Sequence, residues 1–197
     1  MEAIPLGSHQ KKAQRLRAHL VFLDESGFLL IPNVRRTWAP RGQTPFIWHR
    51  HRHDRISAIS AVTVSFRRQH VGLYFHLHYE NISQHEVVLF MRHLLRQIRG
   101  PIVLLWDGGR IHTGDEIRAF LRRQRRLYVE RFPAYAPELN PDEGVWRHCK
   151  AALANGRPDN LDELMAALIT VTRTARRRPS LLRSFIIGSD LPAFLRS

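Results

Sequence analysis

The chain has 197 residues, of which 44% are hydrophobic and 24% are charged, so it can bury the core of one full domain. Its 31 lysines and arginines outnumber 17 aspartates and glutamates, and the formal charge of +14 favours a polyanionic partner such as nucleic acid. The single cysteine, Cys149, excludes an internal disulfide and a multi-cysteine zinc site, while the lack of any apolar run near ~20 residues or of a signal core predicts a cytoplasmic protein.

The N-terminal third predicts strands around an irregular excursion. Residues 1–19 are basic without sustained periodicity, which indicates an N-terminal arm or a fraying helix. The segment HLVFLDESGFLLIP predicts a strand, a tight turn at residues 25–27 and a second strand, which together form a β-hairpin. Residues 33–55 are rich in arginine, histidine and tryptophan and predict an irregular excursion. Two β-branched runs, 56–66 and 71–79, predict the next strands.

The rest of the chain alternates helices and strands. Ser83 and Glu86 have the spacing of a capping box, and Gly100 followed by Pro101 ends the helix that they begin. The predicted elements are helix 84–98, strand 102–106, helix 114–126, strand 127–129 and helices that begin at Asn140 and Asn160. This order predicts an α/β fold in which a mixed sheet is flanked by helices.

Three acidic residues stand at positions where such a fold can bring them together. Asp24 and Asp107 end apolar runs, although each also suits the first residue of a turn. Glu143 lies three residues after the N-cap Asn140, where it suits either the second half of a capping box or a functional carboxylate. Two strands and a helix that each deliver a carboxylate describe a metal site.

The helix that begins at Asn140 carries two adjacent acids. Glu143 lies on the same predicted face of the helix as Trp146 and Lys150, so we expect Glu143 to point toward the core. Asp142 is expected only to favour the helix dipole from the second helical position, and its removal to cost at most about 1 kcal/mol.

Four segments carry a family resemblance: FLDESGF, RRTWAPRGQTP, LLWDGGRIH and PAYAPELNPDEGVWRHCKAALAN. In this order they resemble the bacterial insertion-sequence branch of the Tc/mariner transposase superfamily, whose catalytic domain has a ribonuclease H-like fold and a DDE triad. The resemblance implies that residues 20–197 form this catalytic domain and that Asp24, Asp107 and Glu143 are its catalytic and metal-binding triad.

The resemblance also implies an activity and its partners. The activity is metal-dependent DNA strand cleavage at transposon ends, followed by strand transfer by the freed 3′-hydroxyl. Two Mg²⁺ ions, for which Mn²⁺ can substitute, are expected per site, with Asp24 bridging them. The expected partners are double-stranded DNA, a second copy of the chain and a separate helix-turn-helix portion, since no such domain fits before Asp24. A catalytically inactive DNA-binding remnant of a transposase is the alternative.

Three neighbours of the triad bear on this expectation. His112 matches a histidine of the family and suits either an orienting role near the site or a structural role in its loop. Glu25 follows Asp24 along a strand, so it points to the opposite face and is left out of the site. Gly108 stands where the family usually has asparagine, which removes a polar group near the second aspartate.

Basic residues provide two candidate DNA contacts. The second predicted helix carries an arginine stripe that suits phosphate contacts or an ordinary solvated face: Arg118, Arg122, Arg125 and Arg126. The excursion interleaves basic and aromatic residues: Arg35, Arg36, Trp38, Arg41 and Trp48. Trp38 equally suits a core position.

Histidines suggest a competing metal site. His51, His53 and Asp54 resemble part of the zinc signature of metallo-β-lactamase-fold hydrolases, but arginine follows Asp54 where that signature has histidine. His76 and His78 lie on the same face of a predicted strand, where they suit either a metal site or ordinary packing.

Overall fold

A five-stranded mixed sheet organises the protein, and the computed structural model describes residues 6–31, 34–44, 46, 54–133, 135–156 and 158–192. In the order β3-β2-β1-β4-β5, the sheet contains β1 (His19–Leu29), β2 (Arg55–Val64), β3 (Val71–His78), β4 (Ile102–Trp106) and β5 (Leu127–Arg131). β2 pairs antiparallel with β1 and β3, whereas β4 pairs parallel with β1 and β5.

Helices cover both faces of this sheet. They are α1 (Leu6–Arg15), α2 (Gln84–Gln97), α3 (Asp115–Arg122), α4 (Asp142–Ala152), α5 (Leu161–Arg176) and α6 (Pro179–Ile187). Side chains alternate along β1, so Leu20 and Phe22 join the core under α1, α4, α5 and α6, while Val21 and Leu23 join the core under α2 and α3. This arrangement confirms the predicted α/β fold with a mixed sheet flanked by helices. None of the described helices is long and apolar enough to cross a membrane.

The predicted hairpin is wrong. β1 runs without interruption through the expected turn, and Ser26 and Gly27 pair with Ala58 and Ser57 of β2. A Cβ at Gly27 would meet nothing closer than 4.0 Å, so this glycine is not required by a special backbone conformation. The long ladder with β2 therefore overrides the local turn preference of the Glu-Ser-Gly sequence.

The basic N-terminal segment contains a packed helix. Ala13 of α1 is fully buried, and Lys12 forms an ion pair with Glu130 of β5. Of the two expectations for residues 1–19, an arm and a fraying helix, the structure therefore shows a helix over Leu6–Arg15 that is held against the sheet.

Local signals located most of the other elements. Ser83 and Glu86 form the predicted capping box, and Asn160 accepts a hydrogen bond from the backbone N–H of Glu163 at 2.9 Å, as its N-cap prediction required. The helix predicted over 114–126 is wrong at its C-terminal end, because α3 ends at Arg122 and the chain turns before β5. That early end changes where the arginines after Arg122 lie.

Candidate active site

Asp24 and Asp107 lie at the same edge of the sheet. β1 and β4 are parallel neighbours, and the last matched pair of their ladder is Phe22 with Leu105. Asp24 and Asp107 each stand two residues beyond that pair along adjacent strands, so the strand pairing brings them to one edge. The apolar runs predicted strands that end at both aspartates. β4 does end just before Asp107, whereas β1 continues past Asp24 to Leu29.

Asp24 is largely buried and faces α4. The indole Nε1–H of Trp146 donates a hydrogen bond to Asp24 Oδ2 at 2.9 Å. Burial, together with the negative charges of Glu25 and Glu143, raises the pKa of Asp24 to about 7, against the opposing effect of the Trp146 hydrogen bond. Near neutral pH, Asp24 is therefore partly protonated when no cation is present.

The core-facing side of α4 differs from the predicted one. Its buried residues are Asp142, Val145, Trp146 and Cys149. Glu143 is only partly buried and Lys150 is exposed, so the prediction that Glu143 points inward with Lys150 is wrong. Spacings of three, four and seven residues starting from Asp142 define the inward face, and the helix is rotated by about one residue from the expected phase.

Asp142 is a buried anchor between α4 and β2. It is 0% exposed, and its carboxyl group receives hydrogen bonds from the hydroxyl of Ser60 and, at 3.2 Å, from the backbone N–H of Val62. Burial raises the pKa of Asp142 well above its usual value, and the charge of Asp24 adds to this, which favours the neutral acid. The expectation of a mere helix-dipole position for Asp142 is wrong.

The Glu143 carboxylate does not form a capping box at the start of α4. The backbone N–H of Asn140 donates to the carbonyl of Pro137 at 2.9 Å, so it is not paired with Glu143 as a capping box would require. Asn140 still acts as the cap, because its Oδ1 accepts from the N–H of Asp142 at 3.2 Å. Within the described residues, the Glu143 carboxylate makes no hydrogen bond or ion pair, and its charge acts on Asp24.

A histidine connects Asp107 to β1. His112 is buried and stacks on Trp106 with ring centroids 4.3 Å apart. Its Nδ1 lies 2.8 Å from Asp107 Oδ1, and its Nε2 lies 3.0 Å from Glu25 Oε1. Burial lowers the pKa of His112, but the hydrogen bonds that its imidazolium donates to Asp107 and Glu25, with the charges of those carboxylates, outweigh burial and raise it to about 9. The His112 hydrogen bond lowers the pKa of Asp107 in return.

Glu25 makes a contact that the sequence analysis did not anticipate. The alternation along β1 does turn Glu25 away from Asp24, as expected, because Asp24 contacts Trp146 while Glu25 contacts His112. Through that imidazole, Glu25 is joined to Asp107 on the neighbouring strand. The sequence feature that could have indicated this contact is His112, five residues after Asp107, because its two ring nitrogens can each bond a different carboxylate.

The glycines after Asp107 have different roles. A Cβ at Gly109 would lie 2.9 Å from Asp107 Oδ1, and the Gly109 N–H donates to that oxygen at 2.8 Å, so close backbone approach requires glycine here. A Cβ at Gly108 would meet no atom within 4 Å. The position that usually carries asparagine therefore has open space for a side chain.

The acidic residues at this edge supply the oxygen donors that hard divalent cations prefer. Burial is the main cause of the raised pKa of Asp24, and repulsion by Glu25 and Glu143 adds to it; a bound cation would relieve that repulsion. In the described part of the chain, however, no three His, Cys, Asp or Glu side chains converge on one ion position. The donors therefore fit a divalent cation in kind, while Asp24 is hydrogen-bonded to Trp146 and Asp107 contacts His112.

A family model described as "DDE superfamily endonuclease" matches residues 19–165, which contain all these side chains. The chain belongs to this family. No curated protein sequence matches the chain.

Solved structures of the Mos1 transposase are similar to this DDE endonuclease domain. The Mos1 strand transfer complex has 20% identity and a TM-score of 0.58, covering 96% of this chain and 59% of that chain. The Mos1 mariner paired end complex with Mn has 19% identity and a TM-score of 0.59, covering 96% and 61%. The Mos1 transposase catalytic domain with raltegravir and Mn has 16% identity and a TM-score of 0.54, covering 96% and 92%.

These similarities confirm the ribonuclease H-like fold. The DDE endonuclease domain spans about three fifths of the first two Mos1 chains and nearly all of the isolated Mos1 catalytic domain.

The excursion of the DDE endonuclease domain is exposed where it is described. Trp38 is 99% exposed, so its alternative assignment to the core is wrong, and Arg35, Arg36 and Arg41 are exposed as well. The backbone of Arg35 is paired with Asn155, whose Oδ1 accepts from the Arg35 N–H at 2.9 Å and whose Nδ2 donates to the Arg35 carbonyl at 3.1 Å. Trp48 lies outside the described residues.

The arginines after Asp115 do not form one stripe. Arg126 lies beyond α3, and its guanidinium donates to the carbonyls of Leu95, Ile98 and Gly100 at the end of α2. That role is structural, so the prediction of a continuous helical stripe is wrong. Arg118 bonds Asp115, whereas Arg122 and Arg125 are exposed.

The histidine and cysteine alternatives have separate outcomes. His51 and His53 lie outside the described residues, so the competing zinc prediction is not tested. His76 packs edge-on against Phe90 and His93, both with ring centroids 5.0 Å away, which is the ordinary packing alternative. Cys149 is buried, and burial raises its pKa to about 12, so the predicted structural thiol is confirmed.

Proposed function

We propose that this chain is the catalytic domain of a DDE transposase that cleaves DNA at the ends of a mobile element and joins the freed 3′-hydroxyl to target DNA. The observation that carries the proposal is that Asp24, within β1, and Asp107, just after β4, lie at the same level of adjacent parallel strands, and that the charge of Glu143 on α4 acts on Asp24, in a chain of the DDE endonuclease family. The reaction needs no covalent protein nucleophile.

Asp24, Asp107 and Glu143 are the proposed holders of divalent metal, with two Mg²⁺ or Mn²⁺ ions per site. Similar structures of Mos1 complexes are described with Mn and with Mg. When bound, such ions activate the attacking water or 3′-hydroxyl and stabilise the leaving oxygen. The excess of negative charge around Asp24 supports this assignment, because the carboxylates repel one another in the absence of a cation.

The remaining side chains would control proton position and carboxylate direction. Trp146 Nε1–H holds one oxygen of Asp24, which must lose its proton before it can act as a ligand. His112 holds Asp107 through Nδ1 and keeps its own proton through the paired carboxylates. Asp142, a neutral buried acid, fixes the start of α4 and so limits where Glu143 can reach.

Double-stranded DNA is the proposed partner, both as transposon end and as target. Mos1 complexes with a transposon end are among the similar structures, and a charge of +14 suits phosphate contacts. The exposed Arg35, Arg36, Trp38 and Arg41, together with Arg118, Arg122 and Arg125, are proposed to contact the DNA backbone. A homodimer that joins two ends, and a separate helix-turn-helix portion that recognises them, complete the proposal.

The decisive experiment is nicking of supercoiled plasmid DNA by the purified chain with Mg²⁺ or Mn²⁺ and with chelator. Asp24→Asn, Asp107→Asn and Glu143→Gln should each abolish metal-dependent nicking while the protein remains folded. Glu138→Gln is the matched control, since Glu138 is an exposed acid close to α4, and it should nick normally. Retained nicking in any of the three variants removes that carboxylate from the triad.

The same assay separates the inactive DNA-binding remnant from the enzyme. A remnant would bind the plasmid in a gel-shift experiment yet leave it supercoiled with either metal. If the natural chain behaves in this way, Gly108→Asn tests whether the amide that the family usually has at this open position restores nicking.

A further inference from the structure

A groove between α2 and α3 concentrates positive charge on the face of the sheet opposite α4. The groove has a volume of about 570 Å³, and its charged lining comprises Arg92, Arg96, Arg123, Arg126 and Glu116. Its floor is apolar, because Val88 and Phe120 belong to the core between these helices and the sheet. Asp24 and Asp142 contact α4 and β2 on the other face, so the groove is separate from the candidate active site.

Contacts orient two of the four arginines in the groove. Arg92 lies over the ring of Phe120, 5.8 Å from its centroid, which orients its guanidinium. Arg126, beyond α3, donates to the carbonyls of Leu95 in α2 and of Ile98 and Gly100 just after it, so the segment after α3 is tied to the end of α2. A guanidinium already oriented by such contacts loses less freedom when it binds an anion.

The charged groups that line the groove are mostly positive. Among the described lining residues, Glu116 is the only acid, and it contacts His85 at 3.1 Å. Arg96 and Arg123 are exposed, and within the described residues they make no ion pair or hydrogen bond through their side chains. Four arginines therefore face a single carboxylate around this shallow depression.

We propose that this groove binds the phosphate backbone of duplex DNA through Arg92, Arg96 and Arg123, at a surface separate from the site of cleavage. A row of guanidinium groups with an apolar floor and open sides suits successive phosphates and carries no reader of base edges. The inference concerns binding alone and does not depend on catalysis by the acidic edge.

The test measures the salt dependence of binding to a duplex of arbitrary sequence by fluorescence anisotropy. Each phosphate neutralised contributes a slope of about −0.9 in log affinity against log salt, so replacing all three arginines should reduce the slope by about 2.7. The variant Arg92→Gln/Arg96→Gln/Arg123→Gln removes the charges and keeps most of each aliphatic stem. If that triple variant fails to melt cooperatively, Arg96→Gln/Arg123→Gln replaces it, with an expected reduction of about 1.8.

A matched control separates the groove from total charge. Arg173, Arg177 and Arg178 are exposed at the end of α5, and their replacement by glutamine changes the net charge equally. The control should lower the slope by clearly less than the groove variant. An equal reduction in both, or none in the groove variant, overturns the proposal. Binding of a polyglutamate peptide that falls in the groove variant while DNA binding stays normal also overturns it, because the groove then serves an acidic protein segment.

Nicking provides an independent readout. With saturating DNA, the groove variant should nick the plasmid as fast as the natural chain, since none of its three residues lies at the acidic edge. Loss of nicking at saturation, with a normal salt slope, would also overturn the proposed role.

Discussion

Replacing Asp142 by alanine should destabilise the protein strongly, although this residue stands in the first turn of a helix. The side chain is fully buried, and alanine leaves the hydroxyl of Ser60 and the N–H of Val62 without their acceptor. Each buried polar group left unpaired costs about 1–3 kcal/mol. Removing a buried carboxyl offsets part of that cost, so we expect a net loss of about 2–4 kcal/mol in the free energy of unfolding.

The asparagine variant tests the protonation state at the same position. Because Asp142 is stable as the neutral acid, Asp142→Asn keeps its shape and its capacity for two hydrogen bonds, and should change the free energy of unfolding by less than about 1 kcal/mol. An ionised Asp142 would instead make asparagine costly, since it would replace a charged acceptor.

Urea and thermal unfolding of matched variants measure these differences. For a chain of this size, 1 kcal/mol corresponds to about 2–4 °C in Tm, so Asp142→Ala should melt about 4–16 °C lower. Glu143→Ala is the control, because the neighbouring Glu143 makes no hydrogen bond within the described residues, and we expect a change of at most about 0.5 kcal/mol. Asp142→Ala and Glu143→Ala with equal, small effects would refute the anchoring role of Asp142.

Three further predictions concern pH and single contacts. In chelator, the free energy of unfolding should fall as pH rises from about 4 to about 7, because the raised pKa of Asp24 makes the folded state hold its proton more tightly. It should continue to fall from pH 6.5 to about 9, because in that range the unfolded state has released the His112 proton that the raised pKa of His112 retains in the folded state. Melts across this range check the trend, and Asp24→Asn should flatten its first part. Glu25→Ala should lower the pKa of His112 from about 9, as followed by NMR of the imidazole; an unchanged titration would contradict the contact. Arg126→Gln should cost about 1.5–3 kcal/mol by freeing the carbonyls of α2, whereas the exposed Arg122→Gln should cost under about 0.5 kcal/mol in the same urea experiment.

The features predicted correctly are those fixed by local physics. The capping box at Ser83 and the wholly apolar strand β4 depend on residues a few positions apart, and both stand where the sequence indicated. The apolar runs before Asp24 and Asp107 were local signals too, but the alignment of the two residues depends on the parallel pairing of β1 with β4, which no local signal indicated.

The hairpin prediction failed because distant residues decide whether residues 25–27 form a turn. Nothing near Ser26 reveals that β2, some thirty residues later, continues the ladder past the expected turn. Backbone groups at residues 25–27 can be satisfied by a tight turn or by pairing with β2, and the paired arrangement extends the sheet by several residues. A single sequence offers both solutions, and only the tertiary fold selects one.

The phase of α4 could have been predicted. Trp146 lies three residues after Glu143 and four after Asp142, so either acid could lie on the same helical face as the tryptophan. Val145 and Cys149 settle the matter, because they lie three and seven residues after Asp142 and belong to the same apolar stripe. Giving weight to Lys150, a residue that the helix exposes, led to the wrong face.

The two adjacent acids of α4 therefore have complementary properties. Successive helical residues point about 100° apart, so when Asp142 faces the sheet, Glu143 must turn toward the rim of the helix, beside Asp24. The inward acid has a raised pKa that favours its neutral form, and it is hydrogen-bonded to β2, which makes it a poor cation ligand and a good anchor. The outward acid makes no such bond within the described residues, and its charge acts on Asp24. A free, charged carboxylate is what a ligand for a divalent cation requires. The corrected helix phase thus favours Glu143 as the third acid for a reason different from the one that first suggested it.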